Sequence, residues 1–125
     1  MSQFVDTKTK TFPADAAIGQ YLRVHLSSGQ VTLSGATDQD IGTTRAATFA
    51  AAEPVAVCLV SGQGTEKMVA AAAIAENAKV YGAASGKISS TQATGAFLRG
   101  IALEAAGADG DVIEVLPLVG DTAGA

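Results

Sequence analysis

The strongest constraint on this chain is that it repeats itself once, at a spacing of 56 to 58 residues. Ala17, Ile18 and Val24 match Ala73, Ile74 and Val80. Ser28, Gly29, Ala36 and Thr37 match Ser85, Gly86, Ala93 and Thr94, and Gly42, Ala47 and Val57 match Gly100, Ala105 and Val115. Conservative pairs fill the gaps: Arg23 with Lys79, Val31 with Ile88, Glu53 with Asp111, and Val55 with Ile113. The drift in spacing needs only two single-residue insertions. Ala-rich chains match themselves by chance, but here turn and strand signals recur in the same order, as a true duplication requires. The chain is therefore read as a single domain over 1–125 with half-repeats at 8–60 and 65–118. An arm at 1–7 and a tail at 119–125 lie outside the repeat; both are polar or small, and the tail is expected to be flexible.

Within each half the apolar residues recur every second position. Leu22, Val24 and Leu26 alternate with Arg23 and His25, the pattern of a half-buried strand. Ser27-Ser28-Gly29-Gln30 then supplies a turn before Val31 and Leu33, which predicts a hairpin. Pro54 opens a run from Val55 to Val60, and Asp109-Gly110-Asp111 leads into another from Val112 to Leu118. Many short strands between Gly, Ser and Asp turns predict an all-β fold, a compact barrel or sandwich built from two similar halves. Two Ala-rich stretches, 45–52 and 70–76, have the intrinsic propensity for one or two short helices. Neither has a good N-cap or an apolar stripe of large residues, so long helices are not expected.

Composition excludes several functions. Charged residues make up 16% and aromatics 5%, with no Trp, while the mean hydropathy is +0.30, so the chain is apolar through small residues. Eight Lys and Arg against twelve Asp and Glu give a net charge of −4. The basic residues are spread singly, whereas a duplex binder gathers several on one face; nucleic acid is not an expected partner. The apolar stretch Met68–Ala75 is too short to span a bilayer, and Met1–Asp6 has no apolar core of a secretion signal, so neither membrane association nor export is expected. A lone Cys58 excludes a disulfide scaffold and any Cys-based zinc site, and its setting among Val55, Ala56, Val57, Leu59 and Val60 predicts a buried, inert thiol.

The search for chemistry leaves nothing standing. His25, the single histidine, lies on the polar side of its strand without a placed nucleophile and carboxylate, and reads as a solvated or hydrogen-bonded strand residue. Asp38-Gln39-Asp40 and Asp109-Gly110-Asp111 share a D-x-D spacing, but the further oxygen ligands of a calcium loop do not follow. The first pair is expected to form an Asx turn. Gly62-Gln63-Gly64-Thr65 lacks the Lys and Ser/Thr ending of a phosphate loop and reads as the connector between halves. No catalytic residue, metal site or cofactor is expected, and the chain reads as a structural or binding protein rather than an enzyme.

Taken in order, the segments Thr9-Lys10-Thr11-Phe12, Ala17-Ile18, Ser28-Gly29, Ile41-Gly42, Ala46-Ala47 and Glu53-Pro54-Val55-Ala56-Val57 form a characteristic series. They are followed by Ala73-Ile74, Val80-Tyr81, Ala84-Ser85-Gly86-Lys87-Ile88, Gly100-Ile101-Ala102-Leu103-Glu104-Ala105-Ala106 and Gly110-Asp111-Val112-Ile113-Glu114-Val115. Over about residues 8–118 this series resembles the capsid cement, or head decoration, proteins of tailed bacteriophages. The stretch Gly100–Leu116 carries the resemblance most clearly. It implies a β-rich protein made in the host bacterial cytoplasm and bound to the outside of the mature phage head. It further implies a homotrimer at three-fold and quasi-three-fold sites that holds major capsid protein subunits together against internal DNA pressure. The chain departs from the pattern at Arg45-Ala46-Ala47-Thr48-Phe49, which is expected to be a loop of its own. With the N-terminal arm docking as extended backbone on a neighbour, the expected partner contacts are Phe4, Val5, Lys8, Lys10, Phe12, Arg45 and Phe49. The alternative is a small carbohydrate- or host-surface-binding β-module, against which the scarcity of aromatics counts.

Overall fold

The computed structural model describes residues 9–60 and 64–118. The first sheet holds β1 (Thr9–Pro13), β2 (Arg23–Ser27), β3 (Gln30–Leu33), β4 (Gly42–Thr44) and β5 (Pro54–Leu59). The second holds β6 (Glu66–Val69), β7 (Lys79–Gly82), β8 (Ile88–Ser89), β9 (Leu98–Ala102) and β10 (Val112–Pro117). Their orders are β1-β5-β4-β2-β3 and β6-β10-β9-β7-β8, so adding five to every label converts one into the other. All neighbouring strands are antiparallel. Each sheet curls on itself, because the residue after its first strand bridges to its hairpin: Ala14 to Val31, and Ala70 to Ile88. The all-β expectation holds.

The duplication reaches the backbone torsions. Tyr21 and Asn77, Ser28 and Ser85, Gly29 and Gly86, and Ala52 and Gly110 all have positive φ, and each pair sits at the repeat spacing. Five of these eight residues are not glycine, so the left-handed positions leave little mark in the sequence. Gly42 and Gly100 make a second shared demand. A Cβ on Gly42 would lie 2.0 Å from the Cys58 carbonyl oxygen, and one on Gly100 would lie 2.2 Å from that of Leu116. Both sheets therefore need a glycine where the second and third strands of their order pass closest.

Each sheet closes around its own core. Ala14, Ile18, Val24, Val31, Val55 and Val57 are buried in the first, with Phe12, Leu22, Leu33, Ile41 and Leu59 packed against them. Ala70, Ile74, Val80, Ile88, Ile113 and Val115 take the equivalent places in the second, joined by Met68, Ala102 and Ala106. The inward alternation is thus the repeated apolar pattern of the sequence. Leu26 is an exception: it lies past the end of the first core and is 49% exposed.

The Ala-rich stretches are not helices. Among the described residues the helical geometry is a single 3₁₀ turn at Ala84–Gly86. In the 70–76 stretch the backbone N–H groups of Ala70, Ala71 and Ile74 donate to Asp111, Ile88 and Ala106 carbonyls. In the 45–52 stretch those of Arg45, Thr48 and Ala52 donate to Ala56, Ile18 and Ala14. Long-range bonds consume the donors that a helix would use, and without caps or an apolar stripe nothing offsets that competition.

Candidate functional site

The two sheets meet through polar side chains. Arg23 projects from the outer face of β2, opposite the first core, and is fully buried because the β7–β8 hairpin closes over it. Its Nε donates to the Lys87 carbonyl at 2.9 Å, and its Nη2 donates to the carbonyls of Ala83 and Gly35. Gly82 must be glycine-small here, since a Cβ would sit 2.9 Å from Arg23 Nη1. Asp40 Oδ1 lies 3.4 Å from Arg23 Nη1 and 3.1 Å from Arg99 Nε, so one buried carboxylate serves two buried guanidinium groups. Beside them the Thr43 hydroxyl donates to Glu66 Oε1 at 2.9 Å.

The cluster holds two guanidinium groups and the Asp40 carboxyl inside the protein, with the buried Glu66 carboxyl beside them. Asp40 Oδ2 and Arg99 Nη2 have no hydrogen-bond partner among the described residues. Burial pushes the Asp40 carboxyl up from its ordinary range, against the downward pull of Arg99 and Arg23. Burial also lowers Arg23, opposed chiefly by the charge of Asp40. Such a cluster orients two packed elements more than it stabilises them, because desolvation offsets most of the attraction.

Two cavities flank the seam. One, of about 620 Å³, is lined by Tyr21, Thr43, Thr44, Arg45, Cys58, Thr65, Glu66, Lys67, Glu104 and Glu114. Lys67 Nζ stands 5.7 Å from the Tyr21 ring centroid, and the Thr65 hydroxyl donates to Glu114. The other, of about 570 Å³, opens at the end of the first sheet between His25, Leu26, Gln39, Asp40, Ile41, Leu59 and Val60. Cys58 and His25 fall in different cavities, so the thiol has no imidazole to activate it there. His25 Nδ1 lies 3.1 Å from the Ser34 hydroxyl, in keeping with a hydrogen-bonded strand histidine.

The D-x-D pairs separate on folding. Asp38 accepts from the Gly35 N–H, three residues back rather than two residues on as an Asx turn would have it, and Asp40 is turned inward to the two arginines. Asp111 accepts from the N–H groups of Gly107 and Ala108, while Asp109 pairs with Lys87. Among the described residues no group of three or more His, Cys, Asp or Glu is placed to hold a metal ion.

Four of the seven expected partner contacts, Lys10, Phe12, Arg45 and Phe49, lie among the described residues. Phe4, Val5 and Lys8 lie outside the described residues. Lys10 and Phe12 are on β1, with Lys10 Nζ 5.6 Å from the Phe12 ring centroid, and Phe12 packs against the first core. Arg45 lines the larger cavity, and Phe49 is 82% exposed on the β4–β5 loop, where its N–H donates to Glu53. Among the described ones, the structure brings Lys10 against Phe12.

With this geometry in view, the comparison with known families is decisive. A family model described as phage cement protein matches residues 9–117, which is both sheets. The chain belongs to that family. Membership indicates a structural, capsid-cementing role and a place in the virion capsid. A search of curated proteins found no match. For a cement protein the seam is the feature that sequence reasoning missed: Arg23 read as a solvent-facing partner of Val24, and Asp40 as a turn residue. A signal did exist. The repeat sets Asp40 against Leu98 and Ile41 against Arg99, and such swaps of polarity between equivalent positions mark surfaces with different neighbours.

Proposed function

We propose that this chain decorates the outside of the mature phage head as a homotrimer at three-fold and quasi-three-fold sites. There it clamps adjacent major capsid protein subunits against internal DNA pressure. The observation that carries the reading is the family match across both sheets. The chain acts as one domain of two repeats, 8–60 and 65–118, and works by contact rather than catalysis, with many weak contacts multiplied by symmetry. Its net charge of −4 suits an exterior position away from packaged DNA. Phe4, Val5, Lys8, Lys10, Phe12, Arg45 and Phe49 are the proposed partner contacts. Of those among the described residues, Phe49 offers the largest exposed apolar side chain, the kind that anchors an interface.

Co-sedimentation with expanded phage heads tests the proposal. The protein should pellet with heads at a ratio of three chains per three-fold site and raise the temperature at which filled heads release DNA. Phe49→Ala, or removal of residues 1–7, should weaken binding about tenfold without lowering the melting temperature. Failure of the intact protein to bind any expanded head would overturn the function.

A further inference from the structure

The row Cys58–Thr43–Arg23 crosses β5, β4 and β2 on the outer face of the first sheet. All three residues are buried, because one end of the second sheet sits on them. The equivalent row in the second sheet is Leu116–Ile101–Lys79, crossing β10, β9 and β7 in the same register. It is more open: Leu116 is 41% exposed, Lys79 is exposed and Ile101 between them is half-buried. The same backbone surface is thus covered once and bare once, and the bare copy is the more apolar.

The covering surface is also present twice. In the second sheet it is the end that carries Glu66, Gly82 and Arg99, which meets Thr43, Arg23 and Asp40. The repeat places Lys10, Leu26 and Ile41 at the corresponding end of the first sheet, where Leu26 and Ile41 line the open 570 Å³ cavity. There Leu26 is half exposed, and the hairpin tip at Gly29 has open space around it.

We propose that the end of the first sheet in one copy docks on the outer face of the second sheet in another, head to tail, repeating between chains the contact that joins the sheets within a chain. The exchange of side chains fits the docking. Where the internal contact sets Arg99 on Asp40, the contact between copies sets Ile41 on Leu98. Where Gly82 makes room beside Arg23, Leu26 meets the stem of Lys79. Lys10, in the place of Glu66, approaches a face that carries Glu114 two residues from Leu116, so the charges are complementary as well. The internal contact is polar and the one between copies apolar, as the cores of interfaces between identical chains are. Such an interface is heterologous, and it forms a closed ring when its rotation closes. It rests on the self-association in the proposed function and supplies its geometry.

Two variants test it, Leu116→Asp on the face and Leu26→Asp on the end. Both side chains are exposed, so melting temperatures should stay within a few degrees of the parent. Light scattering in solution, and crosslinking on expanded heads, should show each variant alone as a monomer. An equimolar mixture should form a 1:1 heterodimer and nothing larger, because only the intact end of Leu116→Asp and the intact face of Leu26→Asp can meet. Retention of the parental assembly by either variant, a mixture that stays monomeric, or a parent that is monomeric both in solution and on heads would overturn the interface. So would loss of head binding by a Leu116→Asp that still assembles, which would assign the face to the shell. Heterodimers from a protein that binds no head would instead sink the capsid reading and leave the interface standing.

Discussion

The two sheets share strand order, register, close-approach glycines and left-handed turn residues, and they differ in what lies against their outer faces. Cys58, Thr43 and Arg23 are buried under the second sheet, while in the same places Leu116 and Lys79 are exposed and Ile101 is half-buried. Backbone hydrogen bonding and the inward apolar pattern decide the fold of each sheet, and neither depends on the outer side chains. Those side chains are free to diverge, and they follow their neighbours. The face covered within the chain carries a guanidinium and hydroxyls with partners at hydrogen-bond distance, and the bare face carries leucine and isoleucine.

The comparison can be broken most severely at the glycines. Gly42→Ala and Gly100→Ala each drive a Cβ into a backbone carbonyl of the next strand, and each should cost about 4 kcal/mol, a loss seen only for exceptional substitutions. Urea denaturation should find the two losses similar. A mild effect at one of them would show that the two sheets do not share their closest strand contact.

Outer-face substitutions should separate the halves. Arg23→Ala removes the donor to three carbonyls and leaves Asp40 short of a partner, for about 3–5 kcal/mol, the range for breaking a buried ion pair. Lys79→Ala, at the equivalent position, should stay within about 0.5 kcal/mol. Comparable losses at both would mean that the second face is covered in the isolated chain.

The turn pair Ala52 and Gly110 sharpens the equivalence from opposite directions. Both have positive φ, and Gly110 has nothing within 4 Å of where a Cβ would stand, so only backbone strain is at stake. Ala52→Gly should stabilise, and Gly110→Ala destabilise, each by about 1 kcal/mol. Opposite signs in thermal melts check this, and equal signs would refute it.

The smallest effect is a pH dependence confined to the seam. Burial raises the folded pKa of Asp40 above its unfolded value of about 3.9. Between those two values the folded state binds more protons than the unfolded one, so stability from this group falls as pH rises through the window. The stability of the parent relative to Asp40→Asn should therefore decline as pH rises across it. A relative gain over the same range would show that the two arginines outweigh burial.

Much of this was legible from the residues in order. The 56-to-58-residue spacing, Ser28-Gly29 and Ser85-Gly86 turns, and the Val24, Val31, Val55 and Val57 pattern point to two similar β-rich halves with their own cores. The Ala-rich stretches misled, because intrinsic propensity cannot register that Ala71 and Ile74 donate to distant carbonyls. The left-handed conformations of Tyr21, Asn77 and Ala52 were also hidden, since nothing in those side chains demands them. Of the surface residues singled out beforehand, Phe49 is strongly exposed and Phe12 belongs to the first core, a distinction that alternation alone does not draw.

By itself, the sequence determined the local grammar: strands from period-two alternation, turns from Ser, Gly and Asp, two cores from one repeated apolar pattern, and a family from that pattern's order. Only the tertiary structure decided which outer face is buried. Period-two alternation says that Arg23 and Ile101 point away from their own cores, but whether water or protein lies beyond is set by the other sheet. That is why a buried ion cluster formed where a solvated arginine was expected, and why the apolar row of Leu116 and Ile101 was left facing outward.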